Sequence, residues 1–317
     1  MNIVGIDLGG TRIKTGIITD GTLQAVRMID TIPGTGFENY LDLIQADIIS
    51  LQKETQTELD AIGLAFPGLV DTTNNRVIDT NKKYDDAPAL NIANWAKDNF
   101  GLELKLENDA RLACMGEWKY GAGKGTNDMV MCTLGTGVGT SAIINGKVLR
   151  GKHFQAGILG GHSIIDFQTG NQCTCGGFGC VESTASTWRI KSLAESHPLF
   201  KTSLLSTAEK IDIALIFELS LLGDELASVL REHCINAWAA GIINLIHAYD
   251  PEVVVLGGGI MNSGDILIPE FKRIIKERAW CPSGIPEIKQ AHYPDTAALL
   301  GAMTLFDTIT THEKVSN

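Results

Sequence analysis

The sequence has 317 residues, enough for two domains with cores of their own, and no apolar run reaches the roughly 18 residues of a membrane span. Its composition of 44% hydrophobic and 20% charged residues is typical of a soluble globular protein. The net charge of −11 argues against nucleic acid or an anionic membrane as the main partner. Cysteines scattered in apolar surroundings, with no signal-peptide pattern at the start, predict a cytoplasmic protein.

The chain opens with a predicted β-hairpin. Residues 2–7 form an apolar strand, Gly9, Gly10 and Thr11 form a turn, and a second strand follows directly. A third strand is expected at Val26–Ile32. No helix and no G-x-G-x-x-G sequence follow the first strand, which argues against a dinucleotide-binding fold.

The next part of the chain alternates helices and strands. The expected elements are a helix over Phe37–Thr57, a strand over Leu59–Phe66, turn-rich sequence through Asp86, a helix over Ile92–Phe100, a strand over Leu104–Leu106 and a helix over Ala110–Tyr120. This order indicates an α/β fold.

The second half of the sequence repeats the opening pattern. A strand over Met129–Leu134 leads into a glycine turn and a second strand, which suggests two related domains. Helices are expected over most of 183–249, the last at about Glu232–Tyr249. A strand at Val253–Leu256 and a final helix at about Ala297–Phe306 complete the chain. The expected domains are 1–108 and 109–296, with the segment 297–317 crossing back to the first.

Three glycine-rich turns each follow an apolar strand. They are Gly9-Gly10-Thr11, Gly135-Thr136-Gly137 and Gly257-Gly258-Gly259. Glycine lets backbone amides approach phosphate oxygens without a Cβ in the way, so three such turns predict a nucleotide site. Asp7, just before the first turn, is placed to hold a hydrated Mg²⁺; the alternative is that it only caps the turn.

Asn108 and Asp109 lie between a predicted strand and a predicted helix. Either residue could simply cap the helix. Together they also offer a hydroxyl-bearing ligand an amide and a carboxylate side by side. A phosphoryl acceptor needs such positioning and a carboxylate to take its proton.

A cysteine cluster marks the segment from Gly157 to Glu182. Its members are His162, Cys173, Cys175 and Cys180, the ligand set of a tetrahedral Zn²⁺ site. With four protein ligands the metal would be structural. The alternative is a buried histidine near ordinary reduced thiols; Fe²⁺ or Co²⁺ would suit the same ligands less well.

These motifs resemble the ROK (repressor, open reading frame, kinase) family of sugar kinases, over about Ile3 to Leu305. The resemblance implies a two-domain, actin/hexokinase-like (ribonuclease H-like) ATPase fold, ATP and Mg²⁺ as cofactors, structural zinc and a homodimer. It implies Asp109 as catalytic base and a phosphate-binding role for the three turns with Asp7 and Lys14. The sugar ligands that it implies are Asn108, Glu182, His162, Pro67, Gly68 and Asn81.

The sequence departs from the family in two places. Many family kinases carry a glutamate before the zinc loop that also binds the sugar, whereas Ile158 and Leu159 stand there in this chain. Losing an acceptor for a buried hydroxyl should change selectivity by ~1–3 kcal/mol. The segment Asn81–Ala89 also differs from the family's apolar, Trp-containing turn.

The sequence therefore predicts an ATP-dependent sugar kinase acting on a hydroxyl, with the 6-hydroxyl of a hexose as first choice. Fructose, allose or an N-acetylhexosamine are alternatives to glucose. A sugar-sensing repressor of the same family would carry a helix-turn-helix before the first phosphate motif, and Asp7 as the seventh residue leaves no room for one. A structural ATPase of the actin type would explain neither the zinc loop nor Asn108-Asp109.

Overall fold

A computed structural model describes residues 1–80 and 82–307. The chain divides into two compact units, one formed by Met1–Lys119 with residues from 298 onward and the other by Tyr120–Ala297. Each unit has its own sheet and its own hydrophobic core. Among the described helices, none combines the length and the apolar character that crossing a membrane requires.

The strands are β1 (Asn2–Leu8), β2 (Arg12–Thr19), β3 (Thr22–Asp30), β4 (Ala61–Phe66), β5 (Leu69–Asp71), β6 (Arg76–Asp79), β7 (Glu103–Asn108), β8 (Met129–Leu134), β9 (Val138–Ile144), β10 (Lys147–Val148), β11 (Val253–Gly257) and β12 (Glu287–Gln290). The helices are α1 (Glu38–Thr55), α2 (Ile92–Phe100), α3 (Asp109–Tyr120), α4 (Val181–Thr184), α5 (Thr187–Ser196), α6 (Ile213–Leu221), α7 (Glu225–Tyr249), α8 (Gly264–Arg278) and α9 (Ala297–Met303).

The sheet of the first unit has the strand order β3-β2-β1-β4-β7, which confirms the predicted opening hairpin. β1 pairs with β2 antiparallel and with β4 parallel, and β4 pairs with β7 parallel. Asp7 lies opposite Ala65, and Phe66 lies opposite Asn108. The carboxyl ends of β1, β4 and β7 therefore meet at one edge of the sheet, where α/β folds place their ligands.

A row of glycines crosses the middle of this sheet and receives α9. Gly5 is paired in register with both Gly16 and Gly63. A Cβ on Gly5 would lie 3.0 Å from the Leu299 carbonyl oxygen, and one on Gly63 would lie 2.7 Å from the Ala302 Cβ. The absence of side chains along this row lets the helix backbone approach the sheet closely.

Gly63→Ala is therefore expected to lower the free energy of unfolding by about 1–3 kcal/mol, the usual cost of overpacking a dense core. Urea unfolding of Gly63→Ala, Ala302→Gly and the double variant would measure it. The loss in the double variant should be smaller than the sum of the two single losses, because the opposing methyl group is gone. Simple additivity would contradict the close approach.

The sheet of the second unit has the order β10-β9-β8-β11-β12, the same arrangement of a hairpin beside two parallel strands. The β8–β9 hairpin closes at the pair Leu134–Val138. β11 runs parallel to β8, with Gly257 opposite Thr133. The second and third glycine turns therefore lie at the same edge of this sheet, as the sequence repeat predicts.

Three parts of the sequence-based prediction need correction. The third strand runs over Thr22–Asp30 rather than Val26–Ile32. The long helix before Tyr249 begins at Glu225 rather than near Glu232, because the Asp224 side chain accepts from the Ala227 amide and caps the helix there. The turn-rich segment before Asp86 contains the β5–β6 hairpin. The part of the predicted C-terminal segment from residue 308 onward lies outside the described residues.

Candidate functional site

The first glycine turn closes the β1–β2 hairpin. The Gly9 amide donates to the Arg12 carbonyl at 2.9 Å, and a Cβ on Gly9 would lie 2.5 Å from that oxygen. The Tyr84 hydroxyl donates to the Gly9 carbonyl at 2.7 Å, and the Thr31 hydroxyl donates to the Gly10 carbonyl at 3.1 Å. The carbonyl groups of the turn are thus bonded to protein, which holds the loop in one conformation.

Thr11 and Lys14 extend this turn. Thr11 is exposed, and its carbonyl accepts from the Thr31 amide at 3.0 Å. Lys14 lies on β2 directly opposite Asp7 of β1. The structure therefore brings these two predicted residues to the same end of the hairpin as Asp7 and the glycines.

Asp7 lies one residue before the end of β1 and is half-buried. Burial, together with the Asp109 carboxylate, raises the pKa of Asp7 to about 6, and Lys14 opposes the shift. A pair of carboxylates in this setting is stabilised by an added cation. The donor set therefore fits Mg²⁺, which binds one or two carboxylates and phosphate oxygens.

Asp7→Asn is expected to stabilise the ligand-free protein at pH 8 by up to about 3 kcal/mol, since each pH unit between folded and unfolded pKa is about 1.4 kcal/mol. The folded pKa is about 6 and the reference value is 3.8, so the unfolded chain loses this proton first. The stability that Asp7 contributes in its protonated form is present below pH 3.8 and is lost as pH rises through 6. The increase in the free energy of unfolding caused by Asp7→Asn should thus be smaller at pH 4.5 than at pH 8. Urea unfolding at both pH values tests this, and a gain independent of pH would contradict it.

Asn108 ends β7 and caps α3. Its backbone amide donates to the Glu107 Oε1 at 2.9 Å, and its side-chain Oδ1 accepts from the Arg111 backbone amide at 3.1 Å. Glu107 and Arg111 form a fully buried ion pair at 3.3 Å beneath it. Asn108 Nδ2 donates to the Gly68 carbonyl at 3.0 Å. The capping alternative therefore holds for Asn108, and the cap fixes the residue rigidly.

Asp109 begins α3 with one oxygen engaged. Its Oδ1 accepts from the Ala110 amide at 2.8 Å and from Asn108 Nδ2 at 2.9 Å. Both bonds use Oδ1, and neither uses Oδ2. Burial raises the pKa of Asp109, while the Ala110 amide and the Lys83 ammonium lower it. A raised pKa makes this carboxylate a stronger base than an ordinary aspartate.

The loop after β4 reaches the same edge. Pro67 is buried, and the Gly68 amide donates to the Phe66 carbonyl at 2.9 Å. Because Gly68 also accepts from Asn108, the structure brings these predicted residues together. Asn81, a predicted sugar ligand, lies outside the described residues.

In the second unit, Glu182 connects the second glycine turn to the cysteine loop. Its Oε2 accepts from the Val138 amide at 2.9 Å, and its Oε1 accepts from the Thr174 hydroxyl at 3.1 Å. A Cβ on Gly137 would overlap Oε2, so a larger residue there would displace the Glu182 carboxylate. Thr136 stands exposed at the tip of the turn.

The third glycine turn packs against the second. Gly258 has φ 86°, and a Cβ on it would lie 2.8 Å from the Leu134 amide nitrogen. A Cβ on Gly135 or on Gly259 would meet nothing within 4 Å. The structure thus gathers both turns on one side of the unit, with open space beside two of their glycines.

The predicted metal ligands converge. The ligand atoms of His162, Cys173, Cys175 and Cys180 all lie within 4.8 Å of one another. Cys175 Sγ lies 3.8 Å from Cys180 Sγ, and His162 Nδ1 lies 3.6 Å from Cys173 Sγ. A regular tetrahedron with Zn–S bonds of about 2.3 Å has edges of about 3.8 Å, so these spacings fit zinc.

The cysteine loop is built around tight glycine contacts. The Cys173 amide donates to the Gly177 carbonyl at 2.8 Å, and Gly176 adopts φ 88°. Burial and the charge of Cys173 raise the pKa of the Cys180 thiol to about 12. A metal cation would offset this shift, because it stabilises the thiolate form of its cysteine ligands.

Sequence reasoning missed Lys83, Tyr84 and Thr174. Tyr84 donates a hydrogen bond to the first glycine turn, and Thr174 donates one to Glu182. The Lys83 ammonium lowers the pKa of Asp109. Lys83 and Tyr84 fall in the segment that departs from the family pattern. That departure indicated that the segment is unusual, but the sequence could not show where its side chains point.

A sequence model of the ROK family matches residues 3–309. The chain belongs to the ROK family. The glucokinase of Thermotoga maritima is 29% identical over 96% of this chain and 97% of its own length. A putative xylose repressor of a Caldicellulosiruptor species is 28% identical over 96% of this chain and 77% of its length. The crystal structure of a ROK family glucokinase from Streptomyces griseus with glucose and AMPPNP superposes with a TM-score of 0.81, at 26% identity, over 96% of this chain and 99% of that one.

As a ROK protein the chain has the actin/hexokinase-like ATPase fold predicted from its motifs. Ile158 and Leu159, where the sequence predicts a departure from the ROK pattern, lie just before the one-turn 3-10 helix Gly160–His162. Ile158 is half-buried, and Leu159 is 45% exposed. An apolar pair thus precedes the histidine of the metal cluster.

Proposed function

We propose that this ROK protein is an ATP-dependent sugar kinase that phosphorylates a hexose hydroxyl, the 6-hydroxyl being our first choice. The observation that carries the proposal is the Asn108-Asp109 pair at the carboxyl edge of the first sheet. Asp109 keeps Oδ2 for a substrate proton while Oδ1 is held by Ala110 and Asn108. Glucokinases among the similar proteins support the same class of reaction.

Asp109 would accept the proton of the acceptor hydroxyl at Oδ2 as that oxygen bonds to the terminal phosphorus of ATP. The bond between this phosphorus and the bridging oxygen of ADP breaks, and the proton stays on Asp109 until it is released to solvent. Asn108 would hold the acceptor in place with the rigidity given by its cap. A positioned carboxylate base contributes roughly 10²–10⁴-fold to such reactions.

The nucleotide would be held by the three glycine turns, with Lys14 beside the first. Asp7 would hold Mg²⁺, which would supply positive charge to the phosphates. The open space beside Gly135 and Gly259 supports a nucleotide site in the second unit. Each turn offers backbone amides to anionic oxygens.

We assign Zn²⁺ to His162, Cys173, Cys175 and Cys180 as a structural ion. It would fix the loop that carries Thr174 and, through Thr174, the Glu182 carboxylate. Glu182, His162, Pro67, Gly68 and Asn81 are proposed as further sugar contacts on the family resemblance. Glu182 is well suited because two protein donors already orient its carboxylate.

We further propose that the protein acts in the cytoplasm as a homodimer without a nucleic-acid partner. The net charge of −11 supports the absence of nucleic acid. All seven cysteines are free thiols, as expected in a reducing compartment. The dimer follows from family resemblance alone.

A coupled ADP-release assay tests the function. Purified protein with Mg·ATP would be offered glucose, mannose, fructose, allose, N-acetylglucosamine and N-acetylmannosamine. Turnover with one sugar far above the others would support the kinase and identify the acceptor. Silence with every sugar, in folded and metal-loaded protein that still binds a sugar, would favour a sugar-sensing regulator instead.

A further inference from the structure

Lys83 stands over the first glycine turn. A Cβ built on Gly10 would lie 3.5 Å from Lys83 Cε and 3.6 Å from Lys83 Nζ. The lysine side chain therefore passes directly above the face of the turn from which a Gly10 side chain would project. Gly10 has no side chain on that face of the turn. Within the described chain, the Lys83 ammonium is the charged group nearest to the position of a Gly10 Cβ.

The segment that carries Lys83 is anchored on both sides. The Lys83 amide donates to the Thr80 carbonyl at 3.0 Å, and the neighbouring Tyr84 hydroxyl donates to the Gly9 carbonyl at 2.7 Å. The buried Tyr84 ring makes edge contacts with Phe37 and Tyr40, at centroid distances of 5.9 and 6.1 Å. The exposed lysine thus projects from a fixed backbone.

Asp86 adds a second anchor to this segment. Its two carboxylate oxygens accept from the Phe37 amide at 2.6 Å and the Glu38 amide at 2.8 Å, at the start of α1. An ordinary surface lysine is placed by solvent. Lys83 instead projects from a segment that Tyr84 holds against the glycine turn and that Asp86 holds at the start of α1.

The charge of Lys83 also reaches the proposed base. Its ammonium lowers the pKa of Asp109, against the effect of burial. Lys14 lies opposite Asp7 just before the first glycine turn, Lys83 lies beside Gly10 of that turn, and the charge of Asp109 is felt at Asp7. Of the two cations, Lys14 lowers the pKa of Asp7 and Lys83 lowers the pKa of Asp109.

We propose that Lys83 binds the phosphoryl group in transfer, as a catalytic cation that the family resemblance does not assign. The inference rests on the proposed kinase function. In the reaction the acceptor oxygen bonds to phosphorus, the bond to the ADP oxygen breaks, and the acceptor proton passes to Asp109. Lys83 stays protonated and donates a hydrogen bond to a peripheral oxygen of the phosphoryl group, where negative charge is concentrated.

The geometry favours the phosphoryl group over an anionic substituent on the sugar. A ligand group bound between the glycine turn and Asp109 has two requirements to satisfy. It must present negative charge to the turn, and it must lie next to the acceptor hydroxyl that Asp109 deprotonates. The terminal phosphoryl group of ATP meets both conditions. A sugar acid would meet only the second.

Lys83→Met tests the proposal, with Lys82→Met as the matched control, because Lys82 is an adjacent exposed lysine for which the structure gives no contact to the turn. Calorimetry would compare the binding of AMPPNP and ADP, each with Mg²⁺ and without any sugar. We expect Lys83→Met to weaken AMPPNP binding by about tenfold and ADP binding by less than about twofold, because only AMPPNP carries a γ-phosphoryl group. Lys82→Met should change neither.

The sugar assay adds a second readout. With the preferred acceptor, Lys83→Met should lower kcat by roughly 10–10²-fold, and Lys83→Arg should recover part of it. Equal losses for AMPPNP and ADP, or no loss for either, would overturn the proposal. A change confined to the KM of an acidic sugar would assign Lys83 to the acceptor instead. The nucleotide experiment needs no acceptor, so it stays decisive even if every sugar proves inactive.

Discussion

Asp109→Asn is expected to lower kcat by about 10²–10⁴-fold and to change the KM for Mg·ATP little. Asparagine keeps an oxygen that can accept from the Ala110 amide, as Asp109 Oδ1 does at 2.8 Å. The substitution replaces Oδ2, the proton acceptor, by an amide that cannot take a proton. The loss should therefore fall on the chemical step rather than on nucleotide binding or folding.

The pH dependence gives this prediction a second measurement. Burial raises the pKa of Asp109, so activity of the natural protein should fall on the acid side at a pH above the ordinary carboxyl value of about 4. Asp109→Asn should remove that acid limb from its residual rate. Asp98→Asn, an exposed aspartate on α2, is the matched control and should behave as the natural protein. Turnover of Asp109→Asn close to that of the control would refute the assignment of the base.

Local signals predicted much of this fold because they require few long-range contacts. The opening hairpin follows from Gly9 and Gly10 between two apolar runs, and the structure closes it with the pair Leu8–Ile13. The second hairpin follows in the same way, with the pair Leu134–Val138. Parallel pairing then places the ends of β1, β4 and β7 together without further information from the sequence.

The side-chain contacts of the site were less predictable. Asn108 meets Gly68 across 40 residues of chain, and Tyr84 meets Gly9 across 75. Each contact depends on how a loop leaves the sheet, which periodicity does not encode. Lys83 shows the same limit, since a lysine in a polar loop is read from sequence as a solvated charge. Only the fold brings its ammonium to the glycine turn.

The cysteine loop was partly predictable from the sequence, less so than the hairpins and more so than the side-chain contacts of the site. Ligand type and spacing predicted the cluster, because few other arrangements place one histidine and three cysteines beside several glycines. The link from the loop to Glu182 through Thr174 was not predicted, since Thr174 has no motif of its own. The proposed metal centre would therefore influence Glu182, a proposed sugar contact, through a bond that only the structure reveals.

Cys175→Ser is expected to lower the bound zinc from one ion per chain to a small fraction and to lower the unfolding temperature by on the order of 10 °C. A structural zinc contributes folding free energy directly, and each kcal/mol shifts the midpoint by about 2–4 °C in a domain of roughly 150–250 residues. Cys175 is exposed, so serine should fit there without a packing defect. Cys281→Ser, at a half-buried cysteine outside the cluster, is the matched control and should keep its zinc.

The same variant separates stability from function. Without the metal the loop should loosen, and the 3.1 Å bond from Thr174 to Glu182 should weaken with it. If Glu182 contacts the sugar, the KM for the acceptor should rise several-fold in Cys175→Ser at a temperature where the protein is still folded, while the KM for Mg·ATP stays nearly constant. Thr174→Val should raise the sugar KM in the same direction without losing zinc, because it removes only the hydroxyl donor. Metal analysis that found no zinc in the natural protein, or equal zinc in Cys175→Ser and Cys281→Ser, would refute the metal assignment. A normal sugar KM in both Cys175→Ser and Thr174→Val would leave zinc a purely structural ion with no influence on Glu182.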